Sequence, residues 1–288
     1  MKTFLSTLLA VVALVSSGRA ATTINLTNKY AYGANLGWMD WRGDINNGAV
    51  IGEYVCSGFF YAANAGWISL GTGAPANGIR YQNLSAGDFG VNHDGLGNLR
   101  GYAYGANIGW INFETMGAPK VDLKTGKLSG SVYAANCGWI SLSNAFAFVQ
   151  TDSIANGTDA DGDGIADAWE RLKFGNLSTA NASSDTDGDG FSDRKEYLAD
   201  TNPNDANSKL AIIAFGTPPG GTLPSVTWSS VLTRQYRVQK TLDLKTPSWL
   251  DSGLGLILPD GASTTRNFAD TNAPKRFYRV QVVKPLSP

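Results

Sequence analysis

Tyr61-Ala62-Ala63-Asn64-Ala65-Gly66-Trp67-Ile68 is one of four near-copies of a single phrase; the others run from Tyr32 to Met39, Tyr104 to Ile111 and Tyr133 to Ile140. Their tryptophans, Trp38, Trp67, Trp110 and Trp139, are spaced by 29, 43 and 29 residues. Trp38 to Trp110 and Trp67 to Trp139 are both 72, which reads as a duplicated unit holding two sub-repeats. Units this small complete their core against their neighbours. Within each copy, Asn-x-Gly supplies residues that tolerate positive φ between runs of Val, Tyr, Trp, Ile and Phe, so each is a strand, a turn and a strand. The expectation for residues 21–150 is an all-β meander.

Period-two alternation places Trp139 with Ser141 and Trp110 with Asn112 on one face, and Ile140 with Leu142 and Ile111 with Phe113 on the other. The aliphatic face is the better core. Two readings remain for the aromatic face. Four Trp and four Tyr can fill a second layer or a barrel interior, the reading that recurrence at every repeat favours, or they can form an exposed row on which sugar rings stack. The possible stacking aromatics are then Trp38, Trp41, Trp67, Trp110 and Trp139. Trp41 stands where the other copies have Leu70, Phe113 and Leu142, which makes it the best single ligand candidate. The repeats resemble Gly-Trp-Ile repeats of secreted bacterial proteins, a resemblance over residues 28–145 that implies an architecture and no activity. Cys56 and Cys137 both lie here, and an even count in an exported chain favours a bridge between them.

Residues 159–170 and 185–196 read DADGDGIADAWE and DTDGDGFSDRKE, with acids at positions 1, 3, 5, 9 and 12 and glycine at 6. This is the ligand pattern of a calcium loop. The first site would use Asp159, Asp161, Asp163, the carbonyl of Ile165, Asp167 and Glu170. The second would use Asp185, Asp187, Asp189, the carbonyl of Phe191, Asp193 and Glu196. Asp-x-x-Glu spacing predicts a short helix leaving each loop, stopped at Gly175 and at Pro203. The residues before each loop lack helical periodicity, so these are loop-helix halves without the first helix of an EF-hand. They look like bacterial thrombospondin type 3 repeats over residues 159–208, which implies two structural calcium ions and an extracellular setting. Dockerins are a minor alternative. They pair similar loops, but the residues at positions 10 and 11, Ala168-Trp169 and Arg194-Lys195, differ between the two copies.

Four segments follow: 1–20, 21–150, 151–208 and 209–288. Lys2, an apolar run from Leu8 to Val15 and Ser16-Ser17-Gly18-Arg19-Ala20 have the layout of a secretory signal. From Asp152 to Asp205 there are eleven Asp and two Glu against four basic residues, an acidic block between more neutral neighbours. Beyond Lys209, β-rich runs are separated by Pro-Pro-Gly-Gly, Pro-Asp-Gly and Asn-Ala-Pro, and Tyr-Arg-Val-Gln occurs at Tyr236 and Tyr278, predicting a small antiparallel sandwich. That arrangement is similar to carboxy-terminal β modules of secreted bacterial proteins. A net charge of −1 without a basic helix excludes a nucleic-acid binder. The one histidine, His93, sits in a glycine-rich turn without a catalytic motif around it, so no enzyme is expected. The function expected is a mainly β, secreted calcium-binding structural or adhesion protein of the cell surface, contacting an extracellular glycan or surface protein. Calcium would rigidify the junction of its two β domains; the alternative is a carbohydrate-binding accessory protein using the aromatic face.

Overall fold

A computed structural model describes residues 22–43, 46–216, 223–269 and 276–287; the expected signal segment, residues 1–20, lies outside them. The four phrases form four hairpins. Their strands are β1 (Ile24–Gly33), β2 (Gly37–Asp40), β3 (Gly58–Ala62), β4 (Gly66–Gly71), β5 (Leu99–Gly105), β6 (Gly109–Asn112), β7 (Ser131–Ala134) and β8 (Gly138–Ser141). Each pairs antiparallel with its chain neighbours, and β8 pairs back onto β1 through Tyr32 opposite Ser141 and Gly33 opposite Ile140. The meander therefore closes into a barrel, which removes its open edges. Eight strands give an interior that side chains can fill. Ala31, Met39, Phe60, Ile68, Ile111, Val132, Ile140 and their neighbours fill it.

The turns explain the invariant part of the phrase. In each, the residue after Asn donates its N–H to the carbonyl of the phrase's second residue, three positions earlier, as in Leu36 to Gly33 and Cys137 to Ala134, both at 3.1 Å. Gly37, Gly66, Gly109 and Gly138 follow at φ between 76° and 80°, a conformation that costs a side chain dearly and glycine nothing. The asparagines link one turn to the next. Asn64 Nδ2 donates to Leu36 O at 3.4 Å, Asn107 to Ala65 O, Asn136 to Ile108 O and Asn35 to Cys137 O, the last three at 3.1 Å. These four bonds make a closed ring around one end of the barrel, and Leu36, Ala65 and Ile108 are buried beneath it.

Outside the barrel lie the aromatics. Trp38, Trp67, Trp110 and Trp139 are 43–49% exposed, each tilted against the tyrosine across its hairpin at 4.8–5.1 Å. The favoured interior reading of these four residues is thus corrected, because alternation gave the interior to the aliphatic residues and left the aromatics a surface layer. Trp41 is corrected in the opposite direction. It is 1% exposed and stacks on Phe60 at 4.8 Å inside the core, so it cannot meet a ligand. Cys56 and Cys137 are free thiols, the first buried in the core and the second in the fourth turn; the expected bridge is not formed. Burial pushes the Cys56 thiol up to about 12, which keeps it protonated and unreactive.

After the barrel come two short helices, α1 (Asp167–Phe174) and α2 (Asp193–Ala199). Gly175 ends the first at φ 76°; Asp200, at φ 56°, ends the second three residues before the expected stop at Pro203. The last part is two three-stranded antiparallel sheets. One holds Ile212–Gly216, Ser225–Ser229 and Ser263–Asn267; the other holds Gln235–Thr241, Phe277–Val283 and the short strand Leu250–Asp251. The two Tyr-Arg-Val-Gln copies pair with each other, Val238 opposite Val280 and Tyr236 opposite Val282. Tyr236 and Val238 pack with Val226, Trp228 and Phe268 between the sheets. The chain end then returns to the barrel, where Leu286 packs on the barrel core and accepts a backbone bond from Ile154.

Candidate metal centre

Each loop is wound by its own carboxylates. In the first, Asp159 accepts N–H bonds from Gly162 (2.8 Å) and Gly164 (2.9 Å), while Asp163 accepts from Ile165 (2.8 Å). In the second, Asp185 accepts from Gly188 and Gly190, both at 2.9 Å, and Asp189 from Phe191 at 2.8 Å. Such Asx-type turns fold the chain into a concave loop, and the loop glycines supply the positive φ it requires. The outcome is that Asp159, Asp161 and Asp163 present carboxylate oxygens within 4.8 Å of one another, and Asp185, Asp187 and Asp189 do the same.

The glutamates at position 12 complete the argument. Glu170 is fully buried, and neither of its carboxylate oxygens has a hydrogen-bond partner; Asp163 Oδ2, Asp187 Oδ2 and Glu196 Oε2 are likewise buried and unpartnered. An unpaired buried carboxylate is so unfavourable that it demands a cation or a proton. Burial, reinforced by Asp161, Asp163, Asp167 and Asp159, pushes Glu170 up to about 7. Burial also pushes Glu196 up to about 7, against the bond it accepts from Thr201. An all-oxygen, multiply charged donor set fits a hard divalent cation. When bound, such an ion would neutralise the clustered carboxylates; Asp159, Asp161, Asp163 and Glu170 would hold one, and Asp185, Asp187, Asp189 and Glu196 the other.

The aspartates at position 9, expected among the ligands, are also engaged by the start of their own loops. Asp167 accepts from Ala160 N at 2.8 Å and Thr158 Oγ1 at 3.2 Å. Asp193 accepts from Thr186 N at 3.1 Å, Ser184 Oγ at 2.6 Å and Thr186 Oγ1 at 2.8 Å. Both are turned to the start of their own loop and position it. Ile165 and Phe191, expected to lend carbonyls, directly follow the third aspartate; the Ile165 side chain is buried against Trp169, which fixes that peptide.

The pair is seated on the rest of the molecule. Trp169, fully buried, contacts Tyr197 at 5.6 Å and Phe174 at 5.9 Å and packs with Tyr54 from the barrel unit; Leu172, on the same helix, faces solvent. Arg194 of the second unit crosses the first loop, its Nε 2.6 Å from where a Cβ on Gly164 would stand, and φ 88° would itself strain a side chain there. Lys209 Nζ lies 3.5 Å from Asp189 Oδ2.

A second constellation, which sequence reasoning missed, joins all three units. Glu53, from the barrel unit, is 8% exposed and takes Arg234 Nη2 at 3.0 Å and Lys284 Nζ at 2.7 Å. Tyr197 of α2 donates to Glu53 Oε2 at 3.2 Å and accepts from Lys284 at 2.7 Å. Arg234 also donates to the carbonyls of Leu198 (2.8 Å) and Tyr197 (3.0 Å) at the end of α2. Burial pulls Lys284 below the ordinary lysine range. No local pattern announces such a cluster, since its members are separated by up to 231 positions.

His93 lies beside this cluster rather than in an exposed turn. It is 1% exposed, with Nδ1 3.0 Å from Gly52 O and Nε2 accepting Gly97 N at 3.1 Å. Both nitrogens are thus used by the backbone, which fits the neutral ring, and burial lowers its pKa.

The geometry is a tandem of loop-helix units whose aspartate clusters could each hold a divalent cation. Residues 159–175 and 185–206 match the family model of the bacterial TSP3 repeat, so the tandem is a pair of bacterial TSP3 repeats, a calcium-binding family typical of extracellular proteins. Neither a curated protein nor a solved structure matches the chain. Among the described residues, no helix is long and apolar enough to cross a membrane.

Proposed function

We propose that the chain is a secreted, non-catalytic structural or adhesion protein in which two calcium ions lock a β-barrel and a β-sandwich onto one junction. The observation that carries this reading is the position of α2. Its Glu196 belongs to the second metal loop, while its Tyr197 and Leu198, and Asp200 that ends it, meet Arg234, Lys284 and Glu53 of the other two units. Calcium at Glu196 would fix the helix on which both β units close. The units are not spaced apart as a rigid linker would hold them: Gln235 Nε2 donates to Leu123 O of the barrel unit at 2.8 Å. An extracellular setting supplies calcium in excess, so the sites would be filled permanently and serve architecture rather than signalling.

Titration calorimetry should give two calcium ions per chain. At free calcium one hundred times Kd, each site would add about 2.7 kcal/mol to stability. Chelation should lower Tm and open residues 151–208 to protease; thermograms and digests unchanged by chelator would sink the proposal.

A further inference from the structure

We infer that the cleft beside Trp110 is a binding subsite for an uncharged polysaccharide. The four outer tryptophans are equivalent in sequence, but the chain treats them differently. At Trp67 and Trp139 it crosses the indole itself: a Cβ on Gly43 would stand 2.7 Å from Trp67 Cζ3, and one on Gly117 3.0 Å from Trp139 Cζ3. Trp38 keeps the edge of Tyr30 at 6.4 Å, the same contact that Tyr102 makes with Trp110, but of the two only Trp110 also meets Phe89. At Trp110 the insertion that stretches the repeat spacing to 43 residues brings its turn from Asn83 to Ala86 alongside the indole and leaves a cleft of about 380 Å³.

The cleft is built, not merely open. Phe89 meets Trp110 edge-on at 5.0 Å and 84°, bracing the indole, and Tyr102 meets it at 6.3 Å. The opposite wall is the turn from Asn83 to Ala86. Asp88 fastens that turn by accepting from Ala76 N and Gln82 N, both at 3.0 Å. Asn83, at φ 57°, accepts from Gly90 N at 3.0 Å. A wall ordered before the ligand arrives lowers the entropy lost on binding.

The lining selects the ligand. Trp110 is 43% exposed and lines the cleft with its indole, an apolar surface suited to the C–H face of a pyranose ring. Asn83, Ser85 and Tyr102 offer neutral donors and acceptors for ring hydroxyls, and no charged side chain lines the cleft. A phosphate or uronate would find no cation there. The volume sits near the lower end of the roughly 300–1,000 Å³ usual for small-ligand sites, room for a short stretch of sugar chain. A proline-rich peptide also uses aromatic grooves, but it needs an extended groove, and the Asn83 to Ala86 turn walls this cleft on one side.

The test uses the full calcium-loaded chain, with cellohexaose, chitohexaose, xylohexaose and mannohexaose titrated separately and followed by tryptophan fluorescence and calorimetry. At least one should bind with Kd below about 1 mM. Trp110→Ala should weaken that binding by about tenfold or more, and Trp38→Ala, the same deletion on a hairpin without the cleft, by less than about twofold. Ala86→Trp, which fills the cleft from an exposed position and leaves Trp110 in place, should abolish binding with an unchanged Tm. The inference is overturned if none of the four sugars binds, if Trp38→Ala and Trp110→Ala lose equally, if Ala86→Trp binds like wild type, or if a decaproline peptide binds in their place. The site lies wholly on the barrel unit, so loss of calcium binding and loss of sugar binding are separate outcomes.

Discussion

Glu170 is a carboxylate that the fold buries without a partner among four aspartates, and it shows what the metal is for. Its sign can be worked out. Glu170 and Glu196 have folded pKa values near 7 against 4.5 for the free side chain. In chelator, their contribution is therefore fully present below the unfolded value and is lost as pH rises through about 7. Tm measured in chelator should fall between pH 5 and pH 8, whereas in excess calcium the fall should vanish. Glu170→Gln reverses sign with the metal. In chelator it should raise stability at pH 8, since relieving even one pKa unit is worth about 1.4 kcal/mol; in calcium it should weaken one site and lower Tm. Destabilisation under both conditions, read by calorimetry, would assign Glu170 to packing alone. The acids themselves were legible because ligand spacing is local. The division of labour between position 9 and position 12 was not, because it depends on whether Thr158, Ser184 and Thr186 reach back across the loop.

At the scale of elements, the hairpin phrase determined more than a strand-turn-strand. Alternation correctly sent Ile111 with Phe113 and Ile140 with Leu142 inward, and the two Tyr-Arg-Val-Gln copies at Tyr236 and Tyr278 lie in strands. What spacing alone could not state is closure, because whether β8 returns to β1 depends on twist accumulated over all eight strands. The same applies to Trp41 and Trp110. The two tryptophans differ by which side of a strand they occupy and by what the intervening loop covers. The asparagine ring supplies a test of closure. Asn64→Ala removes one side-chain bond and leaves Leu36 O short of a partner, at a cost of about 1 kcal/mol. Asn35→Ala breaks the bond that spans 102 positions and joins the first turn to the last. It should cost a similar amount at equilibrium. If the ring is formed by closure, hydrogen exchange should quicken at β1 and β8 in Asn35→Ala and at β2 and β3 in Asn64→Ala. Uniform quickening in both variants would mean that the ring does not hold the seams individually.

For the whole molecule the decisive group is Glu53, where one carboxylate answers two cations and a phenol drawn from three parts of the chain. A buried ion cluster adds little net stability compared with a well-packed apolar one, but breaking it by removing a single partner costs about 3–5 kcal/mol, because the remaining charges stay buried. Glu53→Ala leaves Arg234, 3% exposed, and Lys284 facing each other without an anion between them, apart from Asp200 Oδ2 at 3.9 Å from Arg234 Nη1. Two responses are open to the protein. Lys284, already lowered by burial, can give up its proton, or the sandwich can leave the barrel and carry both cations into water. The second response should dominate where the calcium repeats are unfilled, and the first where filled repeats hold α2 in place. Calorimetry in excess calcium should accordingly show one transition for Glu53→Ala, shifted down. In chelator the trace should split in two, with the sandwich released below the barrel's melting temperature. Wild type should melt as one unit in calcium. A single transition for Glu53→Ala in chelator would show that the sandwich holds to the barrel through Gln235, Leu286 and their neighbours alone, and that calcium does not reach the junction through α2.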